Sequence, residues 1–331
     1  MKFIVSTSSL LKQLQTINGV ISNKVVIPIL EYFLFEIEDG KLTITGTDLE
    51  VSMRSSLEVE ANENGSIAVP ARFTIDFLKN LPEQPVTFTI DEEKFQIDIT
   101  SDNGKYSIAG EDPKDFPKFP EVEGASETSM PASVVQEAIA KTIFAITDDD
   151  LRPALGGLLV EMRGDAIRFV STDGNRLVKF ERSNVETGKD ESFILPKKAL
   201  NLLKASLPID DVPVSLSYNN VNALFHIGNL QMVCRLIDEK FPDYEAAIPK
   251  EAPNVLTVER QSLISALKRI SIFSNKTTYQ VRFKISGSEL QLSSQDMDYN
   301  NEAFEKLPCE YDGEDMEIGF NARFIIEMMN N

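Results

Sequence analysis

The stretch FIVSTSSLLKQLQTI, at residues 3–17, combines a short strand with an amphipathic helix, and the same layout recurs twice further along the chain. SMPASVVQEAIAKTI occupies residues 129–143, and LTVERQSLISALKRI occupies residues 256–270. Self-similarity at a constant spacing is typical of one structural unit that is used several times. The period is roughly 125 residues, which is near the usual size of a domain. The sequence therefore predicts three copies of one domain.

Each copy continues with a strand pair around an acidic turn and then a second strand and helix. The strand pairs are YFLFEIEDGKLTITGTDLE, GLLVEMRGDAIRFVSTDGN and VRFKISGSELQLSSQDMD. The second helices follow in SIAVPARFTIDFLKNLP, SFILPKKALNLLKASLP and MEIGFNARFIIEMMN. Asp48, Asp173 and Asp296 mark one recurring position in the three copies.

The ends of the copies set the predicted domain boundaries. The first two copies close with two predicted strands and a Phe-Pro element, which begins at Phe116 and at Phe241. The third copy ends near its second helix, so we expect it to lack closing strands. The predicted domains are residues 1–124, 125–251 and 252–331.

Composition narrows the function classes. Apolar residues make up 42% of the 331 residues, which is enough for packed cores. No run of about 18 apolar residues exists, so we expect no membrane span. The N-terminus lacks a signal-type apolar segment, and Cys234 and Cys309 are isolated, so we expect a cytoplasmic protein with two free thiols.

Charge is distributed unevenly over the chain. The net charge is -19, which alone argues against a nucleic-acid-binding protein. The 3.6-residue period predicts helices at residues 8–21, 71–81, 132–146, 197–207, 260–274 and 321–331. These windows carry eleven basic and three acidic residues, so the helices are positive and the rest of the chain is strongly negative.

A positive helix face favours contact with DNA phosphates, which carries no sequence information. The alternative is that lysine is common on surface helices because it forms helices well, but glutamate does so too, and it is nearly absent from these faces. The chain has no Trp and no zinc-finger spacing. The pattern indicates loose, sequence-independent contact with double-stranded DNA.

Several motifs give the chain a family resemblance. They are MKF at the start, IPIL at 27–30, GTDLE at 46–50, VPAR at 69–72, STDGNRL at 171–177, FPDY at 241–244 and EIGFN at 317–321. In this order they resemble the bacterial DNA polymerase III beta sliding clamps. The resemblance implies an α+β fold of three repeated clamp domains, with helices lining a central hole and antiparallel sheets outside.

The resemblance also implies a function. A head-to-tail homodimer would form a ring around duplex DNA and act as a processivity factor without cofactor or metal. It would tether the replicative polymerase, the clamp loader and repair proteins through short linear motifs. The alternative is a repeat scaffold that binds proteins only.

The family's partner-peptide pocket is implied at one set of positions, although STDGNRL alone could be a plain hairpin turn. Asn175 stands where the family commonly has His. The implied pocket residues are Arg152, Leu155, Thr172, Gly174, Asn175, Arg176, Leu177, Pro242, Ala247, Asn321 and Phe324.

Two further sets follow from the helix charges together with the resemblance. The DNA-facing residues are expected to be Lys12, Lys24, Arg72, Lys79, Lys141, Lys197, Lys198, Lys204, Lys268 and Arg269. The dimer interface is implied at Lys105, Tyr106, Ile108, Ile272, Phe273, Glu302 and Glu305; without the resemblance these could be ordinary core residues.

An enzyme is the rival class that the sequence disfavours. The acidic run at residues 148–150 could suggest a carboxylate metal site, but such a run after a helix is typical of a solvated loop. Asp48 and Asp173 lie at predicted turns, where Asp has a local hydrogen-bonding role. His226 is the single histidine, and no Ser/His/Asp or Cys/His set is apparent.

Overall fold

The computed structural model describes residues 1–22, 26–164, 166–183 and 190–331. These residues form two compact units. Unit 1 comprises residues 1–173 and 177–241, and unit 2 comprises residues 174–176 and 242–331. Antiparallel sheets and helices make up both units, which confirms the α+β class.

The helices lie where the 3.6-residue period predicts them, and their ends differ from the predicted windows by one to four residues where they differ. In the described residues they are α1 (Thr7–Asn18), α2 (Ala71–Lys79), α3 (Ala132–Thr142), α4 (Lys197–Ser206), α5 (Arg260–Ile270) and α6 (Ala322–Asn330). The windows for α3 and α5 ran too far because each helix passes into a 3₁₀ turn, at Ile143–Ala145 and Ser271–Phe273. The apolar period continues through these turns although the α-helical hydrogen bonding does not.

The described strands of unit 1 come from the first two sequence copies. Those of the first copy are β1 (Lys2–Ser6), β2 (Tyr32–Glu38), β3 (Lys41–Thr47), β4 (Val51–Glu58), β5 (Glu60–Ala61), β6 (Gly65–Pro70), β7 (Pro85–Asp91), β8 (Gln96–Thr100) and β9 (Lys105–Ala109). Those of the second copy are β10 (Ser126–Pro131), β11 (Gly157–Arg163), β12 (Ala166–Thr172), β13 (Leu177–Ser183), β14 (Glu191–Pro196), β15 (Pro213–Tyr218), β16 (Asn222–Ile227) and β17 (Leu230–Arg235).

An eight-stranded sheet joins the two copies, in the order β10-β15-β16-β17-β4-β3-β2-β6. The join is the antiparallel pair of β17 and β4, in which Met232 lies opposite Met53 and Cys234 lies opposite Val51. A five-stranded sheet, β5-β1-β7-β8-β9, and a four-stranded sheet, β13-β12-β11-β14, complete the unit. One apolar core runs through both copies. The pairing therefore makes one body of two sequence repeats.

Each of the first two copies closes with three strands, so the prediction of two was wrong. The third strand is β9 in one copy and β17 in the other. β9, with the sequence KYSIA, alternates polar and apolar residues as a strand does, but it is only five residues long and largely exposed.

Unit 2 repeats the same elements on a smaller scale. Its described strands are β18 (Leu256–Thr257), β19 (Gln280–Ser286), β20 (Glu289–Asp296), β21 (Asn301–Pro308), β22 (Glu310–Tyr311) and β23 (Met316–Asn321). They form a four-stranded sheet, β21-β20-β19-β23, and a two-stranded sheet, β18-β22. The apolar face of α5 packs on this sheet through Leu263, Leu267 and Ile270.

Candidate nucleic-acid and protein interfaces

The basic residues of the helices lie on the faces that point away from the cores. In α4, Leu200 and Leu203 are buried at 1% exposure, whereas Lys198 and Lys204 are exposed. The spacing of three to four residues that buries the leucines leaves the lysines in solvent. Of the predicted DNA-facing residues, Lys24 lies outside the described residues. Those that are exposed are Lys12, Arg72, Lys79, Lys198, Lys204, Lys268 and Arg269, while Lys141 and Lys197 are half-buried.

The helices of unit 1 form one layer. α1 packs against α2, and α3 packs against α4. The end of α1 meets α4 at Gly19, where a Cβ atom would stand 2.8 Å from Cδ2 of Leu202. The basic side chains of four helices are therefore carried on one connected layer.

Four of these cations are engaged by carboxylates of the same chain. Lys197 Nζ lies 2.7 Å from an oxygen of Asp148, and Lys198 forms an ion pair with Asp48. The remaining pairs, Arg269 with Glu305 and Lys79 with Asp76, lie at 2.6 and 3.8 Å. The hydrogen bond from Arg269 lowers the pKa of Glu305. Within the described ranges, no ion pair involves Lys12, Arg72, Lys204 or Lys268.

The predicted peptide-pocket residues of unit 1 surround the end of strand β12. Leu155 is buried in a 3₁₀ turn, Pro153–Gly156. Thr172 and Leu177 are half-buried and pair across β12 and β13. Arg152 donates from Nε to Asp149, at 2.9 Å, and from Nη1 to the carbonyl of Asp173, at 3.1 Å. This arginine therefore joins the acidic loop to the turn that follows β12.

The acidic run at residues 148–150 takes part in local contacts. The backbone N–H of Leu151 and then the Arg152 guanidinium lower the pKa of Asp149. Asp148 is paired with Lys197. Among the residues that the structure describes, no group of three or more His, Cys, Asp and Glu side chains could hold a metal ion.

The remaining pocket residues belong to unit 2. Gly174 has a φ of +88°, which glycine tolerates without strain. Arg176 stacks over the Phe324 ring, 4.5 Å from its centroid, and pairs with Glu327. Asn321 caps α6 by accepting from the N–H of Arg323 at 2.9 Å. Pro242, Asn175 and Ala247 are exposed.

The predicted interface residues of unit 1 lie along β9, at one end of the strand order of the five-stranded sheet. Tyr106 is 40% exposed, and its ring and that of Phe77 pack in an edge-to-face arrangement with 4.7 Å between the ring centroids. Lys105 is exposed and Ile108 is half-buried. Beside Tyr106 lies a cleft of about 1040 Å³, whose lining includes Phe73 on α2.

The predicted interface residues of unit 2 lie in the turn after α5 and on β21. Ile272 is 63% exposed and Phe273 is 40% exposed. β21 is at one end of its described sheet and carries Glu302, which is exposed, and Glu305. Phe304 on the same strand is 65% exposed.

Sequence reasoning did not identify Phe73 and Phe304, two exposed aromatic residues near the predicted interface residues. Their signal was available, because each is a large apolar residue at a polar position of the helical or strand period. His226 lies on β16, where Gln231 donates to its Nδ1 at 3.1 Å. None of the helices in the described ranges has the length and apolar character that a membrane crossing requires.

Comparison with known proteins gives one consistent family. Models of the N-terminal, central and C-terminal domains of the DNA polymerase III beta subunit match residues 1–120, 129–243 and 245–331. The chain is 31% identical to the beta sliding clamp of Haemophilus influenzae, over all of this chain and 90% of that protein. The Escherichia coli K12 beta sliding clamp gives the same identity and coverage.

Solved structures agree with the sequence matches. The crystal structure of the DNA polymerase III subunit beta from Pseudomonas aeruginosa superposes with a TM-score of 0.95 at 30% identity, over all of this chain and 90% of that one. A structure of a sliding clamp from the same organism, bound to griselimycin, superposes with a TM-score of 0.94 at 30% identity, over all of this chain and 89% of that one.

Proposed function

The chain belongs to the DNA polymerase III beta subunit family and is a DNA sliding clamp, and from this premise we propose how it performs that function. Two copies join head to tail into a ring around duplex DNA in the bacterial cytoplasm. The ring tethers the replicative polymerase, the clamp loader and repair proteins through short peptide motifs. It performs no catalytic step.

The observation that supports the ring is the junction between the first two copies inside unit 1. There β17 of the second copy pairs with β4 of the first, so that Met232 lies opposite Met53. Above this pair, Gly19 at the end of α1 contacts Leu202 of α4. A strand pair and a helix contact together make one junction between two repeats.

The same two surfaces recur on the chain without a partner in the described sheets. β9 is the counterpart of β17, because each is the last strand of its copy, and β21 is the counterpart of β4. Transferring the register from the internal junction places Tyr106 opposite Ala303 of a second copy. An open strand edge favours pairing with another chain.

The transferred register also places charged residues. Lys105 falls opposite Phe304 of the second copy, with Glu302 as its diagonal neighbour on the same face, within reach of a long side chain. Glu305 is already held by Arg269 of its own chain. We therefore propose Glu302 as the partner of Lys105.

The helix contact transfers as well. Gly19 stands thirteen residues after Ser6, the residue that caps α1, and Ile272 stands thirteen residues after Glu259, which caps α5. Asp76 of α2 takes the place of Leu202 and lines the cleft beside Tyr106. In the internal junction the small Gly19 meets the large Leu202. In the proposed junction the large Ile272 enters the open cleft that Asp76 lines.

One experiment tests the encircling of DNA. The protein is assembled on a circular plasmid by its clamp loader, and the plasmid is then cut once with a restriction enzyme. A ring is held by topology, so we expect it to remain on the circle and to leave the linear DNA. Equal retention on both forms would contradict the proposal and favour a surface-bound scaffold.

We also propose that the predicted pocket residues of unit 1, among them Leu155, Thr172 and Leu177, bind a short peptide with Leu and Phe anchors. The support is the half-buried apolar side chain of Leu177 beside the turn that begins at Asp173. The few anchor residues at the centre of an interface are those whose truncation costs more than about 1 kcal/mol, and we propose Leu177 as such an anchor. The Leu177→Ala variant should therefore bind a fluorescent peptide of this kind at least about fivefold more weakly.

The matched control is Lys179→Ala, an exposed residue on the same strand and the same face, two positions further along. Griselimycin, the compound bound in the similar Pseudomonas aeruginosa structure, is a second probe. Unchanged affinity of Leu177→Ala for both probes would contradict the assignment of this pocket.

A further inference from the structure

The predicted DNA-facing residues of the helices, Lys141 apart, fall into two classes, which differ in whether the cation forms an ion pair with a carboxylate of the same chain. Within the described residues, the paired class comprises Lys79, Lys197, Lys198 and Arg269. The class without an ion pair comprises Lys12, Arg72, Lys204 and Lys268. Under the proposed function, both classes have the same potential ligand, a DNA phosphate. Only the residues of the second class can bind it without first breaking an ion pair.

We propose that Asp48 acts as an internal substitute for a DNA phosphate by forming an ion pair with Lys198. The ion pair links the first two repeats and lowers the affinity of the clamp for DNA. The inference rests on the proposed function, because it assumes that the helix layer faces DNA. It adds a role for an acidic residue in limiting DNA affinity.

The carboxylate of Asp48 is positioned by its own turn. Its Oδ1 accepts hydrogen bonds from the N–H groups of Glu50, at 3.0 Å, and Val51, at 2.7 Å. Its Oδ2 accepts a hydrogen bond from the ammonium group of Lys198. The Asp48 side chain is only 10% exposed. Two local hydrogen bonds therefore hold the anion in place whether or not the lysine is present.

This preorganisation separates the Lys198 pair from an ordinary surface ion pair. An exposed pair is worth little because two mobile side chains must be ordered. Lys79 and Asp76 are such a pair, with both side chains at least half exposed and 3.8 Å between the charged atoms. At Asp48 one partner is ordered in advance, so formation of the pair costs less entropy in total and a phosphate captures Lys198 less easily.

A lower affinity for DNA suits a protein that must move along it. Each phosphate that a protein neutralises adds to its affinity and to the salt dependence of binding. Lys198 can contact a phosphate only after leaving Asp48. The pairing therefore lowers the number of simultaneous phosphate contacts without removing the cation from the chain.

The test compares salt dependence of duplex binding in four proteins. Binding of the full chain to a short fluorescent duplex is followed by anisotropy between about 50 and 200 mM salt, and the slope of log K against log salt counts the phosphate contacts at about 0.9 per contact. The proteins are wild type, Asp48→Asn, Lys204→Gln and the double variant Asp48→Asn with Lys198→Gln. The Asp48→Asn change keeps a side-chain oxygen for the N–H groups of Glu50 and Val51, so the turn persists.

The proposal makes a different prediction for each variant. The Lys204→Gln variant should have a slope about 0.9 smaller in magnitude than wild type, because the change removes one available cation from α4. Asp48→Asn should gain about 0.9, because it releases Lys198, and the added Lys198→Gln change should cancel that gain. Thermal unfolding of each variant reports whether the fold is retained.

Two outcomes would overturn the inference in different ways. If wild type shows salt-dependent binding that Lys204→Gln weakens, but Asp48→Asn leaves the slope at the wild-type value, Asp48 does not restrain Lys198 and only this inference fails. If wild type shows no salt-dependent binding and Lys204→Gln changes nothing, the helix layer does not face DNA, and the proposed function fails with it.

Discussion

Replacing Ile272 by alanine should dissociate the proposed ring, and the expected size of the effect follows from the exposure of this side chain. The substitution removes three carbon atoms, each worth about 0.8 kcal/mol when it is transferred from water to an apolar site. Ile272 is 63% exposed in the single chain. The share that becomes buried at each junction is therefore worth about 1.5 kcal/mol.

A closed ring of two chains contains this junction twice. The two truncations together should cost about 3 kcal/mol, which raises the dimer dissociation constant by about a hundredfold. Sedimentation velocity over a range of protein concentrations measures that constant directly. The control is Ile209→Ala, since Ile209 is fully exposed at 105%, lies in the loop after α4 and belongs to neither set of proposed interface residues.

The reasoning is refuted if Ile272→Ala and Ile209→Ala give the same dissociation constant as wild type. It is equally refuted if wild type is monomeric at every concentration tested. Retained circular dichroism of the Ile272→Ala variant would show that a loss of dimer is not a loss of fold.

Two further predictions concern the second repeat within unit 1. Gly157→Ala should lower the free energy of unfolding by about 1–3 kcal/mol, because its Cβ would stand 2.5 Å from the Leu195 carbonyl oxygen. The neighbouring Gly156→Ala, where a Cβ meets nothing within 4 Å, should lower it far less. Chemical denaturation measures both free energies, and equal effects would contradict the steric explanation. Burial, followed by the hydrogen bond to Glu191, raises the pKa of Tyr218 to about 12. Its stabilising contribution should therefore be complete below pH 10 and be lost as the pH rises towards 12, so an ultraviolet titration should lose one late-titrating tyrosine in Tyr218→Phe, and an unchanged titration curve would contradict the assignment.

The repeat period and the apolar spacing were enough to predict the elements of this fold. The helix windows located all six described helices, because buried positions such as Leu200 and Leu203 recur at the helical period. The windows were least accurate where α3 and α5 pass into 3₁₀ turns, since apolar spacing does not distinguish the two kinds of helix. The count of two closing strands left out one strand in each of the first two copies, since a short strand such as β9, with five largely exposed residues, gives only a weak periodic signal.

The candidate surfaces were only partly predictable from sequence. Family motifs gave the positions of Tyr106 and Ile272, but they did not predict the cleft beside Tyr106 or the exposed Phe304. Charge patterning identified the basic helix faces. It could not tell an available lysine from an occupied one, because Lys198 and Asp48 are 150 residues apart in the chain.

The sequence by itself determined that one domain plan is used three times and that positive charge is concentrated on helices. Both properties depend only on residues that are close together in the chain. The tertiary structure decided which repeats share a sheet, which described strands lie at the edges of their sheets and which cations already have a partner. Those properties depend on pairings such as β17 with β4, which bring together residues that no local pattern relates.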